Sequence, residues 1–238
     1  MENTSHLTVQ FLGIEFDLTI LAMCLLTVFV VFGLVFWASR QMKVRPSGKQ
    51  NVLESVFDFV QNTTKSSLGN YNNNYRLLFF SFFTFILFAN NVGLMAKIVI
   101  KDYSLWTSPT ATFMVAFGLA LIVAGVCHVE GIRKKGFKGY LKEYVEPIPG
   151  LLPMNILEEF TNILSLAMRL FGNIYAGEIV VGLLASGLAH INIFGGIVAF
   201  VVNVLWTAFS VFISCIQAYV FIILSSNYLG KKVNGEGE

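Results

Sequence analysis

Between Ile156 and Leu229 the chain holds two long apolar runs in which Arg169 is the one Lys or Arg. An arginine at the middle of a bilayer costs ~2.5–3.5 kcal/mol on insertion scales and ~10–17 kcal/mol in simulations of an isolated helix. A charge that expensive points to function; the plainer alternatives are an arginine snorkelling to the interface or a structural ion pair. The guanidinium keeps its proton at any attainable pH, whereas a buried lysine can neutralise itself. Arg169 would therefore be a fixed positive charge that a passing proton cannot erase, and it would favour the ionised form of a nearby carboxylate.

No carboxylate of the sequence is placed to answer it. Glu178 follows nine residues later, about 900° around a helix and roughly 13 Å along its axis. Glu158 and Glu159 lie nearer the start of the segment, and Glu130 sits at the edge of another. That leaves a partner chain to supply the counter-charge. Asn162, Ser165 and Asn173 are spaced to share a stripe with Arg169, and Ala167, Gly172, Ala176, Gly177 and Gly182 are small enough to admit another helix closely. Ordinary small-residue helix packing would read the same way. Glu178 is an isolated carboxyl in an apolar run, suited to trading protons with a water-filled inlet or to a structural hydrogen bond.

The second run has its own pattern. Asn203, Thr207, Ser210, Ser214 and Gln217 follow at steps of four, three, four and three, a polar stripe on an otherwise apolar helix. Such a stripe lines an aqueous path or hydrogen-bonds to the Arg169 helix, and Gln217 is its best-placed member to meet Arg169. His190 lies where the two runs meet.

These groups need a membrane to position them. The 238 residues are 55% hydrophobic with a mean hydropathy of +0.70, and only 13% are charged, against about 25% in soluble proteins. A net charge of +2 gives no reason to expect nucleic acid. Cys24, Cys127 and Cys215 are scattered through apolar segments, as are His6, His128 and His190 along the chain, so neither a disulfide framework nor a metal site is expected. No cofactor is expected either. The stretch from Glu2 to Asp17 is acidic rather than basic, so the first apolar run is expected to be a retained anchor and not a cleaved signal.

A crossing takes ~20 mostly apolar residues. Residues 18–38, 77–95 and 111–129 satisfy this, and 156–189 with 197–229 form a final hairpin. Basic residues gather after the first span (Arg40, Lys43, Arg45, Lys49), before the second (Arg76), after the third (Arg133 to Lys142) and at Lys231 and Lys232. Because cytoplasmic loops collect Lys and Arg, five crossings alternate with the N-terminus (1–17) outside and the C-terminus inside; Lys97 and Lys101 are the exceptions. Residues 51–67 carry Val52, Val56, Phe59, Val60 and Thr63 at helical spacing and predict an amphipathic helix lying in the interface. Asn70 to Asn74 is expected to be a surface loop. The fold class is thus an all-α integral membrane protein, a single polytopic domain of about five membrane helices and one interfacial helix, without internal repeat.

The run Glu158-Glu159, Leu164-Ser165-Leu166, Arg169-Leu170-Phe171-Gly172-Asn173 and Ala176-Gly177-Glu178, with Gln217-Ala218-Tyr219 in the last helix, resembles the signature of the bacterial F-type ATP synthase subunit a family. The resemblance implies a stator beside a rotating ring of small hairpin subunits bearing a proton-binding carboxylate. A peripheral-stalk membrane subunit, the catalytic head and lipid would be its other partners. It also implies two strongly tilted last helices, a place in the bacterial cell membrane, and two offset half-channels. By position Arg169 matches the essential arginine, Asn173 and Glu178 polar groups of the half-channel region, and Gln217 the glutamine facing the arginine. Some relatives carry His where this chain has Ser210, and several carry a carboxylate near Gly93 and a proline near Ala96, both missing here. An ion-coupled secondary transporter or channel is the alternative, weakened by the missing repeat. No nucleophile with its base, phosphate loop or metal set points to an enzyme, and the chain alone is expected to be non-catalytic.

Overall fold

The computed structural model describes residues 8–11, 14–40, 42–44, 48–69, 72–95, 99–100, 103–104, 108–145, 149–189 and 193–234. Its frame is α-helical: α1 (Leu18–Ser39), α2 (Lys49–Leu68), α3 (Asn72–Met95), α4 (Phe113–Val145), α5 (Leu152–Ala189) and α6 (Ile193–Asn234). Two short antiparallel ladders, β1 (Thr8–Phe11) with β2 (Ile14–Asp17) and β3 (Val99–Ile100) with β4 (Tyr103–Ser104), occupy connecting segments. The sequence reading has no strands there, because runs of four and two residues are too short to show alternation.

Among the described residues four helices are long and apolar enough to cross a membrane: Leu18–Ser39, Asn72–Gly93, Phe113–Lys142 and Phe200–Asn234. α5 carries Asn162, Arg169 and Asn173 within its apolar run. The chain divides into two compact units, and α3, α5 and α6 contribute to both.

The first unit holds Met1–Gln41, Thr84–Thr112 and Leu170–Ala218. Asp17 caps α1, its carboxylate accepting from the N–H groups of Thr19 (3.0 Å) and Ile20 (3.2 Å). One narrow stripe of α1, Thr19, Met23 and Thr27, is buried, while Phe29, Phe32 and Trp37 are open. An apolar helix so exposed requires lipid as its solvent. The C-terminal end of α3 is pinned to the 3-10 turn Pro109–Ala111. Ser108 donates to the Ala89 carbonyl (2.9 Å) and Thr110 to the buried Asn90 Oδ1 (2.5 Å). The approach is so close that a Cβ on Gly93 would fall within 2.5 Å of the Ser108 main chain. A larger side chain at Gly93 has no room here.

The second unit holds Met42–Phe83, Phe113–Arg169 and Tyr219–Glu238. In α2 the buried residues are Gln50, Val60, Thr64 and Leu68, whereas Val52 and Phe59 stay exposed. The side of α2 packed within the unit is thus largely polar. Polar side chains hid it from a hydrophobicity reading: Gln50 bonds both the N–H (2.8 Å) and C=O (2.9 Å) of Lys43, and Thr64 donates to Asn72 Oδ1 (2.8 Å). Asn72 in turn donates to the Gln61 carbonyl (3.0 Å). That satisfied side chain explains a second correction: Asn72 to Asn74 are the first turn of α3, not a surface loop. Phe57 with Phe80, and Phe82 with Phe221, meet at ring-centroid distances of 5.5 and 5.8 Å.

The basic segment after the expected third span is also helical rather than a loop. α4 runs on to Val145 through one break at Gly136, whose φ of 71° favours glycine. Beyond that break Tyr140 packs against His128, ring centroids 6.0 Å apart.

Candidate functional site

Arg169 lies on the exposed side of α5. At 100° per residue, Thr161, Ser165, Met168, Ala176 and Ile179 share its face and are likewise exposed, with Gly172 half-buried among them. Leu166, Ala167, Leu170 and Ile174 form the opposite, buried face. The surroundings of Arg169 on its own helix are thus mostly short side chains. Among the described residues no carboxylate pairs with the guanidinium. Asn162 and Asn173, both half-buried, stand at the edges of the exposed face. Glu178 follows on the same unbroken helix, though its side chain lies outside the described residues, as does the whole of His190.

The polar stripe of α6 resolves into separate roles. Thr207 donates to the Asn203 carbonyl one turn back (2.8 Å), a local bond that needs no partner helix. Ser210 and Asn173 line one partly open notch of about 170 Å³ in the first unit, together with Gly177, Trp206 and Phe209. Ser214 is fully buried and accepts from Asn91 Nδ2 of α3 (3.1 Å); the Asn91 amide also bonds the Leu87 carbonyl (2.6 Å). This member of the stripe holds α6 to α3, a partner the spacing on α6 does not name. Gln217 is buried; it belongs to the first unit and Arg169 to the second.

The richest polar cluster is one that sequence reasoning missed. In the second unit Tyr144 donates to Glu159 Oε2 (2.6 Å) and shares a hydrogen bond with Tyr140 (2.7 Å). With its proton given to Glu159, the Tyr144 oxygen accepts from Tyr140 and from Lys232 Nζ (3.3 Å). Lys232 also pairs with Glu159 (3.2 Å) and lies over the rings of Tyr144 (4.7 Å) and Tyr140 (5.3 Å). His128 Nδ1 stands 3.5 Å from Glu159 Oε1, an ion-pair distance when the imidazole is protonated. Burial and the hydrogen bond to Glu159 push the Tyr144 hydroxyl well above the ordinary tyrosine range. Glu158, Asn162 and Lys231 join Tyr144, Glu159 and Lys232 around a cavity of about 200 Å³. Glu158-Glu159 and Lys231-Lys232 were visible as pairs of letters; nothing in their spacing shows that residues 144, 159 and 232 converge.

Comparison with known proteins follows the same residues. The profile of the ATP synthase A chain family matches residues 20–230. A protein described as ATP synthase subunit a from Streptococcus agalactiae is 59% identical over 238 residues, all of both chains. A protein of the same description from Streptococcus gordonii is 53% identical, over 99% of this chain and all of its own. One from Streptococcus pyogenes is 51% identical over 94% of each. The chain belongs to the ATP synthase A chain family and is a multi-pass cell-membrane component of the F-type rotary ATP synthase membrane sector.

Proposed function

We propose that the chain is the proton-translocating stator subunit of that synthase, offering two offset half-channels to the carboxylates of a rotating ring, with Arg169 as the fixed charge between them. The observation that supports this most is the placement of Arg169: exposed, flanked by Ser165, Gly172 and Ala176, and without a carboxylate partner among the described residues. Short side chains let a neighbouring helix come close, and the neighbour brings the missing acid. A protonated ring carboxyl that reaches Arg169 gains attraction only by releasing its proton to the adjoining half-channel. Each elementary charge that crosses the potential supplies ~2.3 kcal/mol per 100 mV, and access from opposite sides turns that drop into rotation.

In this reading Asn173, Glu178 and Ser210 belong to one half-channel, with Asn203, Thr207 and His190 toward its outer mouth. Asn162, Ser165, Ser214 and Gln217 complete the polar surroundings, Gln217 facing Arg169. Five crossings leave the N-terminus outside and the C-terminus in the cytoplasm, the side on which Arg133 to Lys142, Lys231 and Lys232 gather. A peripheral-stalk membrane subunit holds the stator, and the ATP chemistry stays in the head, so the chain itself is non-catalytic. The test is Arg169→Ala in membrane vesicles carrying the whole synthase. ATP-driven proton pumping should vanish while the complex still assembles; normal coupled pumping would end this reading.

A further inference from the structure

A groove of about 540 Å³ lies in the second unit between α3, α4 and the end of α6. Asn74 and Tyr75 line it from α3, Glu130, Arg133 and Lys134 from α4, and Val233 from α6. Asn74 stands in the first turn of α3, and Arg133 follows one turn after the expected third span, 111–129. The groove therefore sits where two apolar runs reach their polar boundary, the depth of lipid headgroups. Among its lining groups two cations face one carboxylate. Arg133 bonds Glu130 through one nitrogen (3.0 Å), yet its side chain is 74% exposed. A guanidinium carries five N–H donors, so one such bond leaves most of the fork able to meet a second oxyanion. Lys134 donates to the main-chain carbonyl of Val233, which fixes its ammonium at the groove wall. The exposed Asn74 adds an amide donor.

Away from these charges the wall turns apolar and stays open. Going back along α4 from Arg133, positions 129, 125 and 122 fall on its side of the helix. Val129 and Ile122 are exposed there, and a Cβ added to Gly125 between them would meet nothing within 4 Å. On α3, Leu77 is exposed one turn after Asn74. A free phosphate would use only the polar part of this surface, whereas a phosphate that carries hydrocarbon uses both. We infer that the groove is a binding site for one anionic phospholipid. Its phosphodiester lies against Arg133, Lys134 and Asn74, and an acyl chain runs along Val129, Gly125 and Ile122. Basic pockets between membrane helices hold acidic headgroups, and arginine meets phosphate with the same fork it offers a carboxylate. Glu130 refines the choice: its charge opposes a doubly charged phosphomonoester, and its oxygens accept from a headgroup hydroxyl. A glycerol phosphodiester satisfies both conditions. No step of the proton path enters this inference.

The test titrates the detergent-solubilised whole synthase with phosphatidylglycerol, phosphatidylcholine or inorganic phosphate and follows thermal dissociation of this chain from the complex. Phosphatidylglycerol should raise the midpoint, and the other two should leave it in place. Arg133→Gln should need roughly tenfold more phosphatidylglycerol for the same rise, the factor that one hydrogen bond to a charged group is worth. Gly125→Leu fills the acyl track and leaves every charge, and it should weaken the response severalfold. An equal rise with phosphatidylcholine would overturn the inference, as would a wild-type titration in both variants, which places the lipid elsewhere in the complex. An equal rise with inorganic phosphate would mark a free-anion site and overturn the lipid assignment. Loss of another subunit from Arg133→Gln with an unchanged lipid response would mark a protein partner and overturn it too. Should Arg133→Gln fail to assemble, Gly125→Leu decides alone. Arg169→Ala should titrate like wild type, so this inference and the proton-path reading fail separately.

Discussion

Replacing Glu159 by Gln keeps the shape of the side chain and deletes the charge that Lys232 and Tyr144 share. Their distances are 3.2 Å to the ammonium and 2.6 Å to the phenol oxygen, and the Lys232 and Glu159 side chains are only 17% and 23% exposed. Breaking a fully buried pair costs about 3–5 kcal/mol, and an exposed one about 0–1 kcal/mol. These exposures place the pair nearer the first case, at about 2–3 kcal/mol for Glu159→Gln. Lys232→Met should cost a similar amount, since it also gives up two ring contacts at 4.7 and 5.3 Å, each worth about 0.5–1 kcal/mol. The double variant leaves no charge stranded and should be less harmful than the two single costs added, by about 1–2 kcal/mol. For a chain of this size the single losses correspond to a midpoint about 4–12 °C lower. Thermal dissociation of the subunit from the detergent-solubilised membrane sector would measure it. Costs that simply add, with a coupling below about 0.5 kcal/mol, would refute the claim that these side chains act as one unit.

Two further outcomes follow from geometry. Gly93→Ala should lower the amount of assembled subunit, because its Cβ meets the Ser108 main chain within 2.5 Å and overpacking costs about 1–3 kcal/mol; Ser108→Gly should not rescue it, and rescue would show that the contact is with the side chain. Tyr144 lies beyond the apolar window of α4, and its hydroxyl is raised by burial and by Glu159. The folded chain therefore holds that proton where an unfolded chain would lose it, near pH 10. The stability it contributes is complete below that pH and declines as pH rises above it. Tyrosinate absorbance of wild type minus Tyr144→Phe should show no step around pH 10, and an ordinary step there would contradict the burial argument.

The helices were legible because lipid makes them so: α1 is apolar on every side, and the break between α5 and α6 sits where polar residues and His190 interrupt two apolar runs. Their ends were not. Asn72 starts α3 only because Thr64 and Gln61 satisfy its amide, and the segment from Arg133 to Lys142 is helical despite its charge because Gly136 lets it turn. Of the proposed site residues, Arg169 stands out in the sequence by the cost of a charge in hydrocarbon. Ser214 was found by spacing, but its partner Asn91 lies 123 residues away, and pattern along one helix carries no information about a second.

The uninterrupted course of α6 over 42 residues has a consequence for errors in length. Asn203 and Gln217 are fourteen residues apart, about 21 Å along the axis, a large part of a hydrocarbon layer ~30 Å thick. With no loop or bulge between them to absorb slack, a single-residue deletion swings every later side chain by about 100° and shifts it by about 1.5 Å. Gln217, Ser225 and Lys232 would all lose their bearings together. Substitutions along this helix act one at a time, whereas insertions and deletions are transmitted to its whole remaining length.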